Sequence, residues 1–223
     1  MRRIVVAIDG PAASGKTSVS KRIAVHLGYA YIDTGAMYRA ATWKAMKKGV
    51  DLTNEEAVAR LIRKTDISVS KDGRVYVDGE DVSRYIREPD LTKRVFYIAR
   101  NSKVRSHLVA LQRNMLGNQG IVMEGRDIGT VVFPEALVKI YLDATLDERA
   151  KRRLKDLNKD FSDIDEIRSD IEARDRSDFE REDSPLRKAE DAIYVDTTNL
   201  TLDEVVESCL EIIKKRLDIS YKI

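Results

Sequence analysis

Ile4-Val5-Val6-Ala7-Ile8-Asp9, running straight into Gly10-Pro11-Ala12-Ala13-Ser14-Gly15-Lys16-Thr17, is the stretch that decides the fold. The first part is a short, apolar, β-branched run, the composition of a buried strand. The second fits G-x-x-x-x-G-K-[ST] at every fixed position, and a helical stripe of Val19, Ile23, Ala24 and Leu27 opens directly after it. Strand, glycine loop and helix in that order are the context of a phosphate-binding loop. Its glycines let the backbone approach a phosphate closely, and its N–H groups point at the anion with the helix N-terminus. The predicted cradle is Gly10, Pro11, Ala12, Ala13, Ser14, Gly15, Lys16, Thr17 and Ser18. Lys16 is expected to reach the β- and γ-phosphates, and the Thr17 hydroxyl to ligate Mg²⁺. A glycine turn that merely joins a strand to a helix is the alternative, but pattern and context agree on a nucleoside triphosphate.

Composition sets the outer limits. A chain of 223 residues can bury a substantial core as one large domain with inserts. Lys+Arg 40 against Asp+Glu 38 leaves a net charge of +2, so no global field draws it to nucleic acid or a membrane surface. The single cysteine, Cys209, excludes an intramolecular disulfide, and its stripe with Leu202, Val205 and Ile212 predicts core packing. No N-terminal stretch has the pattern of a signal peptide, and no apolar run is long enough to span a bilayer. A soluble, cytoplasmic monomer is expected.

Further strands are expected at Tyr29–Ile32, Ile121–Met123, Val138–Leu142 and Ala192–Val195, with helices between them. Strands alternating with helices predict a parallel sheet covered on both faces, with ligands beyond the carboxyl ends of the strands. One interval differs. Ile67-Ser68-Val69 and Val75-Tyr76-Val77 flank a Lys71-Asp72-Gly73 turn, and an Asp78-Gly79 turn follows, so a small antiparallel unit is inserted there. Helices are expected from about Ala36 towards Lys48 and from Thr53 to Lys64. Capping boxes are predicted at Thr145 with Glu148 and at Thr201 with Glu204.

A phosphate loop alone does not separate an ATPase, a switch and a kinase. Thr34 and Arg39 follow the second strand, and Arg126 with Asp127 follows the third, which places both groups on the loop's edge of the sheet. Arg174, Asp178 and Arg181 are spaced to share one helical face, and Arg149, Arg152 and Arg153 share another. Taken singly, Arg149, Arg152 and Arg153 are equally readable as surface ion pairs, whereas Arg126 and Arg181 are less so because their neighbours also look functional. Several arginines with few carboxylates, and no histidine or cysteine, suit transfer to an acceptor that is itself a phosphate. A phosphomonoester has a second pKa near 6, so it needs no general base, only positioning and positive charge.

Three segments carry a resemblance: Ile8-Asp9-Gly10-Pro11, Asp33-Thr34-Gly35-Ala36-Met37-Tyr38-Arg39, and Glu124-Gly125-Arg126-Asp127 through Phe133-Pro134. With Val77 through Arg87, and Arg174-Asp175 through Ser184-Pro185-Leu186, they resemble the bacterial cytidylate kinases over nearly the whole chain. The resemblance implies a three-layer α/β fold of the phosphate-loop NTPase type, with a five-stranded parallel sheet, helices on both faces and a small antiparallel β insert. It implies one domain over 1–223, a monophosphate-binding region over 37–105 with hairpins at about 65–87, and a lid with a substrate helix over 146–182.

It also implies roles. Thr34, Arg39, Arg105, Arg126, Asp127, Arg174, Asp178 and Arg181 would bind CMP: Arg39, Arg126 and Arg181 on its phosphate, Arg174 and Asp178 on its sugar, Arg105 and Asp127 on its base. Arg149 and Arg153 would close over the ATP phosphates, and Lys16, Arg126, Asp127 and Arg153 would form the catalytic set. The chemistry implied is Mg²⁺-dependent transfer from ATP to CMP or dCMP. Where this family often carries a small hydroxyl residue ahead of Arg105, Phe96 stands instead and Ser102 lies nearer, so a slipped register or a differently built base reader is expected. Two alternatives remain at this point. One is a pyrimidine kinase that also takes UMP. The other is a nucleotide switch, which would need N-K-x-D where Asn158-Lys159-Asp160-Phe161 departs from that pattern.

Overall fold

The fold was obtained as a computed structural model that describes residues 4–70, 72–115, 120–157 and 160–217. Lys71 of the expected turn and Asn158-Lys159 lie outside these residues.

β1 (Val5–Asp9) is buried along its whole length, as its apolar sequence requires. It lies between β6 (Ile121–Gly125) and β7 (Val138–Asp143), parallel to both. β2 (Ala30–Asp33) pairs outside β6, and β8 (Ile193–Asp196) outside β7, giving the order β2-β6-β1-β7-β8. Each expected core strand is present. The register sets Asp9 beside Gly125 and Asp33 beside Glu124, so the segments leaving β1, β2 and β6 emerge together. Central β1 thereby delivers the phosphate loop to the middle of the carboxyl edge.

Helices cover both faces. Against one pack α1 (Lys16–Leu27) and α8 (Leu202–Leu217), whose Val19, Ile23, Val205, Cys209 and Ile213 join Val6, Ile8 and Leu142. Against the other, Val109 of α5 (Ser102–Asn114) and Ile128 and Val132 of a π-helical turn, Ile128–Val132, close over Ala7 and Met123. α2 (Thr34–Lys47), α3 (Glu55–Ile62) and α4 (Pro89–Arg100) share a separate core with the insert. That insert is a three-stranded antiparallel sheet of β3 (Ile67–Val69), β4 (Val75–Val77) and β5 (Glu80–Asp81). Its Asp78-Gly79 turn holds φ of 50° and 82°, the backbone of a two-residue hairpin turn.

α6 (Leu146–Asp156) and α7 (Ile164–Glu180) form the remaining pair. Ala150, Ile167 and Ile171 pack on Ala12, so the phosphate loop is part of their small core.

Two local expectations are refined and one is met in full. α2 starts at Thr34, ahead of the expected Ala36, because the Asp33 side chain accepts Ala36 N–H at 2.9 Å and caps the helix there. The Thr201 and Glu204 box is complete in both directions. The Thr145 box is only half formed. Thr145 Oγ1 accepts Glu148 N–H at 3.4 Å, but the Glu148 carboxylate turns to Arg152, and Thr145 N–H donates to Thr198 instead.

Candidate active site

The donor half is mostly backbone. Gly10 has φ of 152°, and a Cβ there would lie 2.0 Å from the carbonyl oxygen of Leu142 on β7. No side chain fits where the loop leaves the sheet. Ala13 and Gly15 also hold positive φ, 58° and 89°, which folds the loop back over the start of α1. Lys16 Nζ donates to the Pro11 carbonyl at 2.6 Å and to Ser14 Oγ at 3.2 Å. Thr17 Oγ1 donates to Glu124 Oε2 at 3.2 Å, and Tyr31 donates to the other oxygen of that carboxylate. Ser18 is exposed on α1.

Two residues hold the loop from α6 and α7. Asp175 Oδ1 accepts Ala12 N–H at 3.0 Å, and Arg149 Nη1 donates to the Ala12 carbonyl at 3.0 Å while pairing with Asp175. Arg149 is therefore a buried clasp on the loop. Arg152 bonds the side chain and the carbonyl of Thr197, and its Nη1 lies 3.7 Å from where a Gly15 Cβ would sit. Arg153 makes no hydrogen bond or ion pair with any described residue.

The other sequence-marked residues come together as side chains from separate elements. Arg39 pairs with Asp33 at 2.8 Å on α2. Thr34 Oγ1 donates to the Glu124 carbonyl at 2.8 Å, below the segment that carries Arg126 and Asp127. Arg126 pairs with Asp178 at 2.8 Å, and Arg181 approaches the same carboxylate at 3.4 Å, which joins the end of α7 to that segment. Arg105 is buried and pairs with Asp127, while its Nη1 bonds the Ala99 carbonyl. The Tyr38 ring lies under the Arg105 guanidinium, 5.3 Å from its centroid. Phe96 does not enter the described contacts of this pair. It is 39% exposed on α4, beside Tyr97 and Arg100.

Charge is unbalanced towards positive. Burial, then the nearby Arg126, lowers the Lys16 ammonium pKa to about 7. The protein wall around Arg174, then Arg126, lowers its pKa to about 10, with Arg39 and Arg153 adding repulsion. Its outer edge is open to solvent. Burial opposes the charge of Asp178, yet Arg126, Arg174 and Arg181 hold its carboxyl below the usual range. Lys16, Arg153 and Arg174 form no ion pair with a described residue. Polar atoms also stay unpaired among the described residues: Tyr38 OH, Arg39 Nε, Arg105 Nε and Arg181 Nη2. Crowded cations and unused donors around one cleft form a site for an anionic ligand with further acceptor groups.

Five residues here escape sequence reasoning about roles: Asp9, Tyr38, Glu124, Arg152 and Asp175. Each lies inside or beside a segment that the motifs mark. What the sequence lacks is the partner, since Glu124 meets Thr17 and Asp175 meets Ala12 only through the fold.

A sequence model of the family described as cytidylate kinase matches residues 6–215. A cytidylate kinase of Geobacillus kaustophilus (strain HTA426) is 50% identical over 221 residues, covering 97% of this chain and 99% of the relative. One of Bacillus cereus (strain G9842) is 46% identical over 217 residues, covering 95% and 96%. Among solved structures, a gluconokinase from Sinorhizobium meliloti 1021 aligns with TM-score 0.50 at 15% identity, over 96% of this chain and 94% of that one. An uncharacterized protein from Eubacterium ventriosum ATCC 27560 aligns at 0.53 and 13%, over 96% and 99%. Those two likenesses concern the fold alone.

Proposed function

The chain belongs to the cytidylate kinase family, and from that premise we propose that it transfers the γ-phosphoryl group of ATP to CMP and dCMP, forming CDP or dCDP and ADP. The observation that carries this reading is a set of cations with no ion pair to a described residue, Lys16, Arg153 and Arg174, with Arg126 acting on Lys16 and Arg174, and Arg153 on Arg174. Such a cluster suits two phosphates brought end to end.

Arg39, Arg126 and Arg181 hold the acceptor phosphate, whose oxygen is mostly unprotonated at pH 7 and attacks without a general base. The new O–P bond forms as the bond to the bridging oxygen of ADP breaks, in line. Lys16 and Arg153 spread positive charge over the transferring group. Arg174 and Asp178 meet the sugar, Thr34 completes the CMP site from beneath the Arg126-Asp127 segment, and Arg105 with Asp127 faces the base. Gly10 through Ser18 cradle the ATP phosphates, and Arg149 fixes the loop from beneath. The region 37–105 carries the acceptor, and 146–182 closes as a lid that excludes competing water.

Thr17 Oγ1 and Glu124 Oε2 offer a hydroxyl and a carboxylate side by side, oxygen donors that fit a hard cation. Thr17 and Glu124 would hold Mg²⁺, which would supply positive charge to offset that of the ATP phosphates. A monomer acting in the cytoplasm is part of this proposal; among the described residues no helix is long and apolar enough to cross a membrane.

The test is ADP release with ATP and Mg²⁺ in separate reactions with CMP, dCMP, UMP, dUMP, AMP and GMP. Turnover confined to CMP and dCMP is expected. Comparable turnover of UMP would move the assignment to a broader pyrimidine kinase, and none with any monophosphate would end it.

A further inference from the structure

Asp9 ends the strand that leads into the phosphate loop, yet both its hydrogen bonds go to the acceptor side. Its Oδ1 accepts Ile128 N–H at 2.9 Å, and its Oδ2 accepts Gly129 N–H at 2.8 Å. These are the opening N–H groups of the π-helical turn, the kind that a helix start leaves without an internal partner. A residue just before a helix ordinarily satisfies them with its own side chain, and aspartate is among the best at it. Asp127 occupies that place and makes no such bond. Its carboxylate pairs instead with Arg105.

We propose that Asp9 is a remote cap and a positioning residue for base selection: by occupying the N–H groups of Ile128 and Gly129, it keeps Asp127 turned towards Arg105 and the acceptor base. The proposal rests on the reading of Arg105 and Asp127 as the base-contacting pair. No other described side chain meets those two N–H groups. The segment's other side-chain ties leave those two N–H groups alone: Thr34 bonds the Glu124 carbonyl, Arg113 the carbonyls of Val131 and Val132, and Arg126 pairs with Asp178. Without Asp9, the nearest acceptor for the stranded donors is the Asp127 carboxylate itself, on the adjoining residue. Turning there, it would leave Arg105 buried without its partner and a cytosine amine without an acceptor.

The surroundings agree. Asp9 is 5% exposed, and burial pushes its carboxyl up to about 6, with the two N–H bonds pulling the other way. The charged groups facing it are Asp127 and Lys16.

The test compares kcat/KM for CMP and for UMP, together with the KM for ATP, in Asp9→Asn, Asp9→Ser, Asp127→Asn and the Asp9→Asn/Asp127→Asn pair. Asp9→Asn should lower the CMP-over-UMP ratio by about tenfold or more while the ATP KM stays within about threefold. Asp9→Ser removes the buried charge and, being shorter, draws its oxygen back from both N–H groups, so it should lower the ratio at least as far, and it serves if the asparagine variant does not fold. The double variant should lose no more of the ratio than Asp127→Asn alone. An unchanged ratio in folded Asp9 variants, while Asp127→Asn shifts it, would overturn the proposal and leave the base reading intact. So would a loss of ATP affinity without a change in ratio, because Asp9 would then shape only its own loop. If Asp127→Asn leaves the ratio unchanged, the base reading falls and this proposal with it.

Discussion

The two halves of the cleft are made in opposite ways. The donor half is one unbroken stretch, Gly10 to Thr17, whose shape comes from backbone that only particular residues can adopt. The acceptor half draws on α2, α5, the segment after β6 and α7, joined by ion pairs between side chains. A phosphate is recognised well by N–H groups of a single loop, because every residue supplies one. A whole nucleotide has a phosphate, a sugar and a base, so its recognition needs different side chains at fixed mutual positions. The donor half is therefore vulnerable at its glycines, and the acceptor half at its charges.

Gly10→Ala attacks the first kind of vulnerability and should have the largest effect. Its Cβ would meet the Leu142 carbonyl, which is backbone and cannot step aside. Loss of ATP binding is expected, with a fall in stability of about 3 kcal/mol or more, read by nucleotide titration and thermal unfolding. Tight ATP binding in this variant would erase the contrast between the halves.

Arg126→Ala attacks the second. It removes the partner of Asp178 and the central cation of the cleft. We expect kcat/KM for CMP to fall about 10³-fold while ATP still binds, as loss of a transition-state charge does elsewhere. Equal damage to both substrates would mean that the halves are not separable in this way.

Arg181→Ala should be milder. Arg181 shares Asp178 with Arg126 and keeps one buried Nη2 unpaired. A rise in CMP KM of about 10- to 100-fold is expected, with kcat less affected and ATP binding nearly intact. A drop in kcat alone would place it on the transferring group.

The smallest effect is a dependence of stability on pH at the joint between the halves. Asp9 has its carboxyl pKa raised by burial from 3.8 to about 6. A raised pKa in the folded state means that this group favours folding while protonated, and that the contribution is lost as pH rises through 6. The wild type should therefore lose on the order of 2 kcal/mol from this group between about pH 4 and 6, relative to Asp9→Asn. Parallel unfolding curves for the two proteins across that window would remove Asp9 from the ledger of buried charges.

Much of this was legible in advance, for reasons that vary with the element. The five core strands could be read because a buried parallel strand must be continuously apolar, as Val5–Ile8 and Val138–Leu142 are. The insert was marked by a change of period to two and by Asp78-Gly79, whose turn is a local property. Boundaries that hinge on side chains were less accessible. Asp33 starts α2 early by capping it, while Glu148 leaves its half of a capping box for Arg152. Arg149 shows the limit most clearly. Its place on a helix was evident, but its burial against Asp175 and the Ala12 carbonyl depends on a neighbour 26 residues on and a loop at the other end of the chain.

By itself, then, the sequence determined what is local: the strands, the phosphate loop and its glycines, the hairpins, and the kinds of residue available to hold two nucleotides. The tertiary structure decided what is mutual. It set which carboxylate faces which guanidinium, left Lys16, Arg153 and Arg174 without an ion pair among the described residues, and sent Asp9 across to cap a turn 119 residues away. The physical reason is that backbone conformation answers to a few adjacent residues, whereas a side chain's charge state and partner answer to whatever the fold packs against it.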